Sequence, residues 1–253
     1  MDDATVKPDE HFTPKAWGLW ATAGMSLAVF AVFVAVQVIT VIAYVVACQI
    51  SHPTGNVASV AQDAGSNGFL VSWSYWASLP ASLGLLLLLV KIRSGWTITD
   101  YLALKPAPKG TMLVWLAISL IFMAASDCLG RFWGNPITAA YMKKVYQTAY
   151  FTPLLWATFL VAAPLYEETL FRGFMFRGIR QSPLGAPGAI LITALGWALI
   201  HVQYDAFTIA QIFAGGILFG IARLKTGSIY PTLAMHSLWN LIATIEVAVS
   251  LHR

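Results

Sequence analysis

Charged residues in this chain come in islands, and long apolar runs separate them. Between Lys15 and His52 the only ionisable side chains are Tyr44 and Cys48. Further uncharged runs lie between Asp63 and Lys91, Lys109 and Asp127, Lys144 and Glu167, Arg180 and His201, and Asp205 and Arg223. One more, from Tyr230 to Val249, contains His236 and Glu246. About 20 mainly apolar residues carry a helix across a bilayer. Every run is of helical length, and none alternates as the strands of a membrane barrel do. The pattern predicts an all-α, polytopic transmembrane helix bundle of about seven spans, with eight possible.

Composition sharpens this picture. Hydrophobic residues make up 58% of the 253 and charged ones 10%, where a soluble domain carries roughly 45–50% and about 25%. A soluble domain of this length has no way to bury so much apolar surface, and the mean hydropathy is +0.70. Disordered, collagen-like and disulfide-stapled classes are excluded. Cys48 and Cys128 stand in apolar runs and form no CxxC metal site. Membrane lipid is the implied surrounding. The net charge of +4 fits Lys and Arg enrichment in cytoplasmic loops, and no nucleic-acid partner is expected. A removable signal peptide is not expected either, because Met1–Pro14 mixes acidic and basic residues and the first apolar run is too long.

Loop charges set an orientation. With the N-terminus inside, Lys7, Lys15, Lys91, Arg93, Lys105, Lys109, Arg172, Arg177, Arg180, Arg223 and Lys225 fall on the cytoplasmic side. Arg131, Lys143, Lys144 and Arg253 fall outside, an 11-to-4 split that favours this arrangement. Ser51–Asn67 then reads as an outer connection and Ser94–Gly110 as the main cytoplasmic loop. No internal repeat or interdomain linker is visible. Residues 1–150 read as N-terminal helices with that loop, and 151–253 as a core that carries the chemistry.

Ionisable groups inside membrane spans are costly and face a cavity or a partner. Glu167, Glu168 and Arg172 stand at the end of the fourth predicted span. At about 100° per residue the two glutamates point apart. Glu168 and Arg172 are spaced i to i+4 and can pair, which leaves Glu167 without a local counter-ion. Arg177 and Arg180 fit a solvated interfacial charge cluster. His201 closes the fifth run, four residues after Trp197, and His236 and Asn240 share a face of the seventh. A desolvated glutamate can take a proton from water, a neutral histidine can hold that water or ligate a metal, and a His/Asn pair can donate to an oxyanion. Gly215, Gly216 and Gly220 make a smooth face for helix packing or for a substrate backbone.

The order Glu167-Glu168-x-x-x-Arg172, Trp197-x-x-x-His201, Phe213-x-x-Gly216 with Gly220, and His236-x-x-x-Asn240 resembles the CAAX-protease and bacteriocin-processing family of intramembrane proteases. That family includes the eukaryotic Ras-converting endopeptidase, which has eight spans, and many bacterial Abi-type proteins. The resemblance covers roughly residues 150–245, and Asp100-Tyr-Leu-Ala-Leu is similar to a segment that often precedes the core in bacterial members. Trp197 stands where the family more often has Phe. The resemblance implies that Glu167 activates water with help from His201, that His236 and Asn240 form the oxyanion hole, and that Glu168 and Arg172 support the site. The substrate it implies is a membrane-associated peptide or protein: a prenylated C-terminus in eukaryotes, or a leader, pheromone or membrane segment in bacteria. A bacterial cytoplasmic membrane is the expected setting for so short a chain. Either no metal is bound, or a zinc or other divalent ion sits on Glu167, His201 and His236, without the HExxH pattern. Two further readings stay open: a non-enzymatic immunity or scaffold protein, and a proton-coupled transporter, which the lack of inverted repeats disfavours. By helical rise, Glu167 lies about 20 Å from a helix end near Arg180, His201 about 20 Å from a start near Gly188, and His236 only about 9 Å from a start near Tyr230.

Overall fold

The computed structural model describes residues 14–52, 57–134 and 140–252, and among these no strand occurs. In chain order the helices are α1 (Leu19–Ser51), the short α2 (Val57–Ala64), α3 (Gly68–Lys91), the one-turn α4 (Ile98–Tyr101), α5 (Lys109–Phe132), α6 (Ala140–Gln147), α7 (Thr152–Arg180), α8 (Gly185–Leu199), α9 (Ala206–Thr226) and α10 (Tyr230–Leu251). Six of them, α1, α3, α5, α7, α9 and α10, are long and apolar enough to cross a bilayer, and α8 is a shorter apolar helix. The chain is a multi-pass membrane protein, and these six helices with the shorter α8 are consistent with about seven spans. Lys7, His11, Arg253 and positions 53–56 of the outer connection lie outside the described residues.

Packing follows from small residues. The buried positions of α1, Thr22, Ser26, Val29 and Phe33, form one stripe toward α3 and α7. A side chain at Gly178 of α7 would collide with Thr22, so these two helices approach at backbone distance. Along α3, Ser72, Ser74, Ser78 and Ser82 are buried. The hydroxyls of Ser72 and Ser82 donate to the carbonyls of Gly68 and Ser78 at 2.7 and 2.8 Å, so no polar atom of this pair is left bare in the bundle. The outward faces of α1 and α5 carry exposed Ile42, Leu113 and Ile121, as expected where lipid replaces protein.

Three expectations are revised. First, α7 does not end at the glutamates but runs on to Arg180, so Glu167, Glu168 and Arg172 sit in its middle. Glu168 pairs with Arg172, and Glu167 takes hydrogen bonds from Tyr75 and Trp197 inside the bundle, which is why they do not mark a span end. Second, Ser94–Gly110 is no open loop. Thr97 accepts the Asp100 N–H at 3.0 Å to start α4, and Tyr101, Leu102 and Ala103 are buried. Third, Arg177 is not a free interfacial cation. Its Nη2 and Nε donate to the carbonyls of Asp100 and Tyr101 at 2.8 and 3.2 Å, and its guanidinium lies over Trp96. The Ser228 hydroxyl donates to Lys105 O at 2.5 Å and the Ile229 N–H to Ala103 O at 3.1 Å. The segment therefore closes one end of the bundle, under α7 and the start of α10. The start of α10 is tied to this segment, and about one and a half turns on, His236 lies beside both glutamates.

Candidate active site

The backbone of α7 is unusual where the site lies. Residues Thr158–Ala162 and Thr169–Met175 form π-helical turns on either side of Glu167 and Glu168. Pro164 explains the first. It has no N–H to give and crowds the preceding turn, so the ladder widens and the Ala163 N–H bonds Thr158 O. The carbonyls released are satisfied from α10: the Asn240 amide donates to Phe159 O at 2.7 Å and the Ser237 hydroxyl to Leu160 O at 2.8 Å. Free backbone groups at membrane depth need such partners.

Glu167 and Glu168 point apart, as their spacing requires, and His236 lies between them. Glu168 and Arg172 form the expected i, i+4 pair at 3.0 Å, fully buried. Arg172 also donates to Gly216 O at 3.2 Å and lies 4.6 Å above the Trp197 ring. The carboxylate of Glu168 has His236 Nδ1 at 3.1 Å. Glu167 is 3% exposed. Its Oε1 accepts from the Tyr75 hydroxyl at 2.9 Å and its Oε2 from the Trp197 indole N–H at 2.5 Å. Its Oε2 stands 3.8 Å from His236 Nε2.

The histidine tautomers follow from their partners. His201 Nδ1 lies 2.7 Å from the Trp197 carbonyl. A carbonyl only accepts, so Nδ1 carries the proton and, in the neutral ring, Nε2 keeps its lone pair. The same argument gives His236 a proton on Nδ1, donated to Glu168. Close packing holds this frame. A Cβ at Gly216 would meet Ala194 Cα at 3.0 Å and Trp197 at 3.1 Å, and one at Gly220 would meet Ile190 at 3.1 Å. Of the glycines singled out in the sequence, both therefore serve the contact of α8 with α9, and Gly215 makes room for the Trp239 ring.

A cavity of about 260 Å³ opens in front of these groups, and Trp197, His201, His236, Trp239 and Asn240 line it. Glu167 stands behind the lining, bonded to Trp197 and facing His236. The site thus brings Glu167, Glu168, Arg172, His236 and Trp197 into one network, with His201 and Asn240 on the same cavity wall. Tyr75 belongs to it as well and was not singled out from the sequence. Its signal was a lone tyrosine in the serine stripe of α3. The indole N–H of Trp197 makes that residue more than an exchange of one aromatic for another, since Phe has no donor to offer Glu167.

The residues do not suit a metal ion as they are arranged. Among the described residues no three His, Cys, Asp or Glu side chains gather closely enough to hold one. Both Glu167 oxygens are engaged by donors.

Residues 149–242 match the family model described as type II CAAX prenyl endopeptidase Rce1-like. An Escherichia coli protein described as "Uncharacterized 24.3 kDa protein" is 36% identical over 85 residues, which is 31% of this chain and 37% of that protein. The chain therefore spans little more than a third of the length of that relative. No solved structure matches.

Proposed function

We propose that this chain, whose residues 149–242 match the model of Rce1-like CAAX endopeptidases, is an intramembrane endopeptidase that hydrolyses a membrane-associated peptide or protein with Glu167 as general base. The observation that carries the reading is a buried Glu167, held by Tyr75 and Trp197 and facing His236, behind a cavity lined by Trp197, His201, His236 and Asn240.

In the proposed cycle a water enters between Glu167 Oε2 and His201 Nε2. Hydrogen bonds at catalytic groups commonly re-form when substrate binds, and here the water takes over from the Trp197 indole at Oε2. Glu167 removes one proton, the water oxygen bonds to the scissile carbonyl carbon, and negative charge develops on the carbonyl oxygen. Asn240 uses one amide hydrogen on Phe159 O and has a second for that oxygen. His236, held by Glu168 through Nδ1, presents Nε2 on the same wall, and as an imidazolium it donates there. The proton on Glu167 then passes to the leaving nitrogen as the C–N bond breaks. Glu168 and Arg172 act by fixing His236 and the face of Trp197. Every catalytic group lies on α7, on α10 or in the turn after α8, so the mutual packing of these elements sets the geometry.

The test is mass spectrometry of a membrane-peptide library incubated with purified wild type and Glu167→Gln. General-base catalysis contributes typically 10²–10⁴-fold, so the variant is expected to lose at least about two orders of magnitude in cleavage while staying folded. Gln keeps the shape of Glu, and the Tyr75 hydroxyl can rotate to accept from its amide. Cleavage by the variant near the wild-type rate would sink this reading and leave a non-enzymatic scaffold as the better one.

A further inference from the structure

The bundle is closed at one end and open at the other. At the closed end the buried Tyr101-Leu102-Ala103 segment is bound to α7 through Arg177 and to the α9–α10 junction through Ser228 and Ile229. No residue of that segment lines the cavity. Its lining runs instead from Trp197 and His236 at mid-depth to Gly130 near the end of α5, Met142 of α6, and Tyr204 and Asp205 of the α8–α9 turn. All of these outer residues lie at the end opposite the 94–108 segment.

The short α8 creates the opening. Fifteen residues rise about 22 Å, less than the roughly 30 Å of a hydrocarbon core. The turn at 200–205 therefore lies below the membrane surface. Non-helical backbone is tolerated at such depth where it lines a cavity, and His201, Tyr204 and Asp205 line this one.

The two ends differ in charge. Lys15, Lys91, Arg93, Lys105, Lys109, Arg177, Arg180, Arg223 and Lys225 mark the closed end, and Arg131, Lys143 and Lys144 the open one. Arg172 leaves the count because it is paired in mid-bundle. The asymmetry places the closed end in the cytoplasm.

Resting on the protease reading, we infer that the catalytic cavity is reached from the extracytoplasmic side of the membrane, and that its substrate is a peptide segment presented there, such as a translocated leader, rather than the C-terminus of a cytoplasmic protein. The lining agrees: it holds the carboxylates of Asp127 and Asp205 and no Lys or Arg, so no cation inside waits for a free C-terminal carboxylate.

Thiol labelling decides the orientation without reference to activity. Ser126→Cys, nearly isosteric and on the cavity wall, is made in a full-length protein with Cys48 and Cys128 replaced by Ser, and Lys105→Cys marks the closed end. Intact bacterial cells are treated with a membrane-impermeant maleimide. The expected result is labelling of Ser126→Cys in intact cells and of Lys105→Cys only after permeabilisation. The reverse result, or Ser126→Cys labelled from neither side, overturns the inference. A second arm uses proteoliposomes of the Ser126→Cys protein with peptide added outside. Cleavage should fall on outside maleimide treatment, in proportion to the labelled fraction. Cleavage that persists when the outward-facing thiols are fully labelled also overturns it. If no peptide is cleaved even in detergent, the protease reading fails, while the labelling still fixes the side on which the cavity opens.

Discussion

Arg172→Met tests whether the buried ion pair holds the site together. The substitution keeps a side chain of similar reach and removes the guanidinium. Glu168 then loses the partner at 3.0 Å and keeps His236 Nδ1 at 3.1 Å. Breaking a fully buried pair on one side costs about 3–5 kcal/mol, against a total stability of about 5–15 kcal/mol for a folded domain. Glu168→Gln strips the other side. Arg172 then keeps the Gly216 carbonyl at 3.2 Å and the Trp197 face at 4.6 Å, so this variant should fall at the lower end of that range. Removing both charges leaves no uncompensated ion, and such replacements are often close to neutral. The double variant should therefore recover most of the loss, with a coupling energy of about 2–3 kcal/mol. The measurement is denaturant-induced unfolding in mixed micelles, followed by tryptophan fluorescence, with peptide cleavage assayed in parallel. Cleavage should stay impaired in the double variant even as stability returns, because Glu168 also holds His236. A double variant no more stable than the worse single one would refute the pairing argument.

Other outcomes follow from the same geometry. Tyr75→Phe removes a donor 2.9 Å from Glu167; at about 1.5–3 kcal/mol for a hydrogen bond to a charged group, kcat/KM should fall by about ten- to a hundredfold, and an unchanged value would remove Tyr75 from the site. Gly216→Leu forces α8 from α9 at a contact already 3.0 Å from a Cβ, and a thermal scan should show about 1–3 kcal/mol of overpacking loss; wild-type stability would mean the helices are not held at backbone distance. Asp100 is held below its ordinary 3.8 first by the Lys105 ammonium and then by the Thr97 hydroxyl. A carboxylate with a depressed value stabilises the fold above its unfolded value and loses that contribution as pH falls through the folded one, so hydrogen-exchange protection of the Leu102 and Ala103 amides should drop only below about pH 4; protection unchanged down to pH 3 would refute it.

The spans were legible because a bilayer demands about 20 apolar residues and the chain supplies them between charges. The candidate site residues stood out for the converse reason: Glu167, His201 and His236 are costly in apolar helices. The same logic failed at α7. Reading charges as span ends works for solvated groups, and Glu168 and Arg172 neutralise each other in mid-helix instead. The insertion of residues 98–105 was hidden because its apolar part, Tyr101 to Leu104, is far too short to register as a span. Its anchors are backbone carbonyls, which leave no mark in a sequence. Tyr75 and the indole of Trp197 escaped notice because aromatics are ordinary in apolar helices. Only their positions opposite Glu167 turn the hydroxyl and the N–H into holders of a carboxylate.

Pro164 links backbone to chemistry. Proline in a helix interior breaks the hydrogen-bond ladder and costs about 3 kcal/mol or more where nothing compensates. Here the break is compensated by α10, whose Asn240 and Ser237 take the freed carbonyls of Phe159 and Leu160. The compensation fixes the axial position of α10 against α7, and with it the height of His236 relative to Glu167 and Glu168. Asn240 thereby has two tasks at once. One amide hydrogen docks the helix, and in the proposed mechanism the other serves the cavity that Asn240 lines. In the proposed mechanism the geometry of the oxyanion donor is thus set by a proline on a neighbouring helix.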